Sequence, residues 1–309
     1  MKKQLLLLAM MLLPMVASAI TAEIDGINYN LVSKLKTAEV ISSINFSNFT
    51  HNYVGSITIP ESVTYNDEVY NVTSIGERAF SYCDALTSVV MGNNITNIGE
   101  RAFECCSALV SVTIGNSVTS IGGEAFLDCT GLEKVIAPNI AGWCNINFTD
   151  DSSNPLFYAK HLYSDENTEI TNLIIPNSVT SIGDYTFLNC SGLTSVIIPN
   201  SVTSIGFDAF YKCSGLTSLT FPNSMISIEG GAFYGCDGLE KVIILNIEGW
   251  CNNNFTDVYS NPLFYAKHLY SDENTEITNL IIPNSVTSIG EYNQEIKGET
   301  NVEIISVIA

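Results

Sequence analysis

The sequence predicts a repeat solenoid: a right-handed coil with a parallel β-sheet on one face, short helical turns opposite and a β-rich N-terminal cap. Three observations predict it. Phenylalanines recur every 23 positions, at Phe80, Phe103 and Phe126 and again at Phe187, Phe210 and Phe233. Cysteines keep the same interval, at Cys83, Cys106 and Cys129 and then Cys190, Cys213 and Cys236. Branched aliphatic residues do likewise, with isoleucine at 75, 98, 121, 182, 205 and 228 and leucine at 86, 109, 132, 193, 216 and 239. A fixed period of roughly 20–50 residues marks an array in which each unit buries its apolar side only against its neighbours. At 309 residues the chain is too long for one ordinary compact core, and no linker divides it.

The first element is a targeting segment. Lys2 and Lys3 precede an apolar run from Leu5 to Val16, which ends in Ala17-Ser18-Ala19, the small-x-small pattern of a signal-peptidase site. Residues 1–19 are therefore read as a signal peptide, and the protein as secreted or displayed at the cell surface. The run is too short for a membrane-spanning helix. Residues 20–70 form the expected cap. Within it, "EIDGINYNL" and "TAEVISSI" alternate polar with apolar around "VSKLK" and predict a hairpin, while "GSITIP" (55–60) already resembles a repeat strand. A solenoid needs such a cap because its first sheet edge would otherwise invite pairing.

The array itself spans 71–290. In one unit, "LTSLTF" (216–221) is short and β-branched and stops at Pro222, which has no N–H to donate. "VTSI" (202–205) is a second extended piece, and Gly206 supplies the corner. "DAFYKC" (208–213) makes one helical turn that sets Phe210 and Cys213 on one face. Stacked units then place Phe on Phe and Cys on Cys.

The pattern I-G-x-x-A-F-x-x-C-x-x-L-x-x-V-x-I-P resembles the BspA-type leucine-rich repeats of bacterial surface proteins, over residues 71–136 and 172–290. The resemblance implies a curved solenoid and a role in adhesion or binding to host proteins.

The period breaks twice. "NIAGWCNINFTDDSSNPLFYAKHLYSDENTEI" (139–170) returns as 246–277, and the flanked copies 131–183 and 238–290 agree at 47 of 53 positions. Each is read as one long coil whose loop bulges from the stack. Residues 291–309 are an atypical or truncated tail: after Gly290 no Ala-Phe-x-x-Cys follows, and 302–309 either adds a terminal strand or marks a shortened array.

The sequence carries no recognisable catalytic motif. The six ladder cysteines are expected as buried free thiols, small hydrophobes rather than ligands. Cys105, off the ladder, is the candidate reactive thiol, and Cys144 and Cys251 are expected to be packed. Of three histidines, His161 and His268 are duplicates and His51 stands alone, with no nucleophile pattern beside them. The carboxylates of 149–154 and 164–169 lack the ligand order of a calcium loop. No enzyme, cofactor or metal site is expected. The balance of 12 basic against 32 acidic residues, a net charge of -20, disfavours nucleic acid and anionic membrane as partners.

A partner would touch the outward positions of the "LxxVxI" strands. The third positions are Ser88, Ser111, Lys134, Ser195, Ser218 and Lys241; the fifth are Val90, Thr113, Ile136, Ile197, Thr220 and Ile243. A nearly uncharged ribbon on so acidic a chain marks an interaction face. Trp143, Trp250, Phe157 and Phe264 are alternative anchors. The expected activity is binding of a host extracellular or bacterial surface protein; the alternative is a structural or self-associating module without a specific ligand.

Overall fold

A computed structural model describes residues 19–42, 53–223, 227–266, 268–281 and 303–306. Successive units pile in register. Strands Gly55–Ile59, Leu86–Met91, Ser111–Thr113, Lys134–Ile136 and Leu162–Tyr163 form one parallel five-stranded sheet. Asn172–Ile174, Ser195–Ile197, Ser218–Phe221, Lys241–Ile244 and His268–Tyr270 form a second. Two-residue strands such as Asn97–Ile98 and Ser120–Ile121, or Ser181–Ile182 and Ser204–Ile205, build further parallel ladders.

The core is the predicted stack. Phe80, Phe103 and Phe126 stack with nearly parallel rings at centroid distances of 5.0 and 5.1 Å, and Phe187, Phe210 and Phe233 at 5.2 and 5.4 Å. All six are fully buried. Each contributes about 1.5–3 kcal/mol of transfer free energy, and each stacked pair about 0.5–1.5 kcal/mol more. The six ladder thiols are free, and four of them are tied between coils. Cys106 Sγ donates to the Phe80 carbonyl at 3.0 Å, Cys129 to Phe103 at 3.1 Å, Cys213 to Phe187 at 3.1 Å and Cys236 to Phe210 at 3.2 Å. Burial pushes the thiols of Cys83, Cys190 and Cys236 up to about 12, so they stay protonated and able to donate.

The segment expected as a helical turn is built differently. Its N–H groups alternate between two directions. Those of Ala79, Ser81 and Cys83 close turns onto Gly76, Arg78 and Phe80, while those of Arg78, Phe80 and Tyr82 donate to Glu100, Ala102 and Glu104 of the next coil. Arg78 and Tyr82 adopt positive φ (51° and 59°), as do Asp208 and Lys212 (52° and 56°). An L-residue resists this region by about 1–2 kcal/mol, and the inter-coil hydrogen bond offsets that cost. Gly206 serves a different purpose from the one expected. Its φ is ordinary, but a Cβ there would lie 2.5 Å from the backbone nitrogen of Asp184 in the adjacent coil. The glycine permits close stacking.

The cap exceeds the predicted hairpin. Ala19–Ile24 and Ile27–Val32 pair antiparallel around Asp25-Gly26, and Ile27–Val32 pairs antiparallel with Thr37–Val40, which joins the array in parallel with Glu68–Ile75. Asp-Gly between alternating strands is a strong hairpin signal, and it accounts for the additional strand.

Each insert is one long coil whose apolar residues pack into the stack. Asn139 accepts from the Gly142 N–H at 3.1 Å and starts a short helix, Ile140–Trp143. Asn147–Phe148 then extends the two-residue ladder, and Leu162–Tyr163 extends the sheet beside its partner Val135–Ile136. An acidic hairpin follows before Leu173 starts the second sheet. The physical reason is apolar content: Trp143, Phe148, Leu156 and Leu162 are all buried. Two side chains replace the backbone acceptors that a regular coil would offer. The Asp150 carboxylate accepts from the Glu124 N–H at 3.1 Å, and Tyr158 Oη from the Asp128 N–H at 3.0 Å. Asp257 and Tyr265 repeat this for Gly231 and Gly235.

The leader up to Ser18, His51, the end of the array from 282 to Gly290 and most of the tail lie outside the described residues. Glu303–Ser306 is a strand parallel to Asn279–Ile281. No described helix is long and apolar enough to cross a membrane.

Candidate binding faces

Parallel register aligns the outward residues into ribbons, with equivalent positions of successive coils side by side. In the first sheet Ser56, Ser88, Ser111 and Lys134 stand in one row, and Thr58, Val90, Thr113, Ile136 and Tyr163 in the next. In the second the rows are Asn172, Ser195, Ser218, Lys241 and His268, then Ile174, Ile197, Thr220, Ile243 and Tyr270. The hydroxyls cross-link the rows: Ser56 and Ser88 share a hydrogen bond of 2.6 Å, and Ser195 Oγ donates to Asn172 Oδ1 at 2.7 Å.

The ribbons are not open along their whole length. Ile136 and Ile243, expected outside, are 4% and 2% exposed, although neither belongs to the contiguous core. They sit where each acidic hairpin folds back. Lys134 Nζ lies 4.6 Å above the Tyr163 ring and donates to the Glu166 carbonyl at 2.8 Å. Lys241 does the same with Tyr270 and Glu273. These two lysines clamp the hairpins while remaining partly exposed in their rows. Within the hairpins, His161 Nδ1 meets Glu169 Oε1 at 2.6 Å and His268 meets Glu276 at 2.7 Å. Hydrogen bonds from the Asn167 and Thr168 amides hold the Asp165 carboxyl below its usual range.

Of the expected residues, Ser88, Val90, Ser111, Thr113, Ser195, Ser218 and Thr220 are partly exposed and share their rows. Ile197 is 39% exposed. Its register partner Ile174 is 66% exposed and was missed. The signal was present, because "TNLIIP" matches "TSVIIP" and places Ile174 at a fifth position. Ile174 opens the second sheet, so no earlier strand covers it.

The alternative anchors divide. Trp143 and Trp250 are core residues, while Phe264 is exposed and Phe157 half-buried. Cys105 is not an activated thiol: desolvation and the Glu104 and Asp128 carboxylates raise its pKa, which disfavours the thiolate.

The profile of the BspA type Leucine rich repeat region matches residues 42–143 and 161–261, in six copies. Among solved structures, the chain resembles a leucine-rich repeat protein of T. pallidum at 18% identity and a TM-score of 0.40, over 85% of this chain and 94% of that one. It resembles a leucine-rich repeat protein of Bacteroides ovatus at 27% identity and a TM-score of 0.33, over 72% and 70%. The pneumococcal vaccine antigen PcpA is similar at 17% identity and a TM-score of 0.32, over 95% and 100%. No curated protein matches the chain.

Proposed function

Because the chain belongs to the BspA-type leucine-rich repeat family, we propose that it is an exported, surface-displayed protein that adheres to a host or bacterial surface protein and catalyses no reaction. The observation that carries this reading is the pair Ile174 and Ile197. They are adjacent in register and exposed beside an uncharged row of Asn172, Ser195 and Ser218, on a chain of net charge -20. Contiguous apolar surface of this kind favours a protein partner, since burying it releases ordered water. The basic pair, apolar run and Ala-Ser-Ala site of residues 1–19 support export.

The test is a double substitution, Ile174→Asp with Ile197→Asp, measured as binding of the purified protein to immobilised extracellular-matrix proteins. Both side chains reach solvent, so circular dichroism and melting should be unchanged while binding weakens at least tenfold. Full-strength binding by the folded double variant would remove this face from consideration.

A further inference from the structure

A second surface lies on the outer turns of the second half, away from the strand ribbons. Here a cavity of about 400 Å³ is lined by Asn189, Lys212, Ser214, Tyr234, Asp237 and Tyr265. It crosses successive coils, because Asn189 and Lys212 hold equivalent positive-φ positions in adjacent units. One wall continues into aromatic side chains. Tyr211 stacks on Tyr234 at 5.3 Å, Tyr259 meets Tyr234 edge-on at 4.7 Å, and Phe264 meets Tyr259 at 5.2 Å. Tyr234 and Phe264 are 38% and 41% exposed.

We propose that this cavity binds an uncharged saccharide. The volume falls in the range of small-ligand sites, roughly 300–1,000 Å³. The polar groups are mixed in kind. Tyr265 Oη accepts from the Gly235 N–H at 2.8 Å, which leaves its own proton to donate. The Asn189 amide is fixed by donating to the Phe157 carbonyl at 2.7 Å. Lys212 and Asp237 line the same space without an ion pair among the described residues, and Lys212 Nζ lies 5.0 Å from the centroid of the Tyr211 ring. Their charges cancel locally, so the cavity selects neither anion nor cation, and the net charge of -20 opposes an anion further. A ligand with a hydroxyl-bearing edge and an apolar C–H face satisfies carboxylate, ammonium, amide and phenol at once. Tyr211 and Tyr234 are packed against each other, so no slot opens between them for a proline ring.

The first half supplies the control. At its equivalent positions, Leu127 stands for Tyr234, Cys105 for Lys212, Thr130 for Asp237 and Ser152 for Tyr259. The turn geometry is shared, including the Asp128 N–H donated to Tyr158, but the cavity chemistry is not. Tyr234→Leu and Asp237→Thr therefore install residues that the same coil already accommodates, and both variants should fold.

The experiment titrates the protein, and each variant, with neutral hexasaccharides of glucose, galactose and mannose, followed by calorimetry and by NMR. A deca-proline peptide is titrated in parallel. Saturable binding of at least one sugar, weakened tenfold or more in each variant with Ile174/Ile197-dependent protein binding intact, supports the site. Binding by none of the sugars, sugar binding that ignores both substitutions, or saturation of these residues by the peptide alone overturns it.

Discussion

The two long coils are nearly the same sequence in two different settings. They differ at six positions: Ala137, Pro138, Ala141, Ile146, Asp151 and Ser152 become Ile244, Leu245, Glu248, Asn253, Val258 and Tyr259. Both fold into the same coil, with a buried tryptophan on a short asparagine-capped helix. Yet Trp143 Nε1 donates to the Thr186 carbonyl of the following coil at 2.9 Å, whereas Trp250 Nε1 is buried with no partner among the described residues. Replacing Ser152, which is buried, by Tyr259 also adds the ring that extends an aromatic wall. The coil's shape comes from its own residues. The hydrogen bonding of its tryptophan depends on the coil stacked beside it, and its outer chemistry on the exchange of Ser152 for Tyr259 together with the neighbouring rings.

The largest test asks whether both halves depend on their ladders equally. Phe126→Ala and Phe233→Ala each remove the last ring before a long coil and should each cost about 3–5 kcal/mol in chemical denaturation. A loss below about 1 kcal/mol in either would show that half to be held by something else. A smaller difference comes from the tryptophans. Trp143→Phe forfeits the hydrogen bond to Thr186, whereas Trp250→Phe forfeits none among the described residues, so the first should be more destabilising by about 1–3 kcal/mol. Equal losses would mean that the orphaned N–H finds an acceptor in solution.

The smallest effect concerns Asp208, whose counterpart 107 residues earlier is Arg101. Burial, and then the Asp257, Asp151 and Asp184 carboxylates, raise its pKa to about 6. The folded state therefore holds a proton that the unfolded chain, with its ordinary value near 3.8, releases earlier. The stability so gained is complete below about pH 4 and lost as the pH rises through 6. Asp208→Asn should recover about 1 kcal/mol at pH 7 after allowance for solvent screening, seen as a melting temperature roughly 2–4 °C higher, with no gain at pH 3.5.

What could be read from residues alone was what repeats. A side chain that recurs every 23 positions meets its own kind, so the period alone places Phe210 and Cys213 in the stack. What could not be read depends on unlike neighbours. Ile136 and Ile243 stand at outward positions of the strand alternation yet are buried beside the lysine-clamped hairpins, and nothing in their own spacing announces it. The inserts lack the Phe and Cys marks, so no interval identifies their Leu156 and Leu162 as core. Asp150 and Tyr158 look like loop residues because substituting for a carbonyl is a role no periodicity encodes. The aromatic wall needs three segments to converge, Tyr211, Tyr234 and the Tyr259–Phe264 stretch, and only the stacked fold brings them together.

The direction of the backbone ladders has a mechanical consequence. Because the N–H groups of Arg78, Phe80 and Tyr82 reach along the stacking axis to the next coil, tension between the two ends would load those bonds one coil at a time. Each coil that peels away frees about 80 Å of chain, so a molecule tethered at one end and gripped at the other would lengthen in regular steps and act as an extensible link.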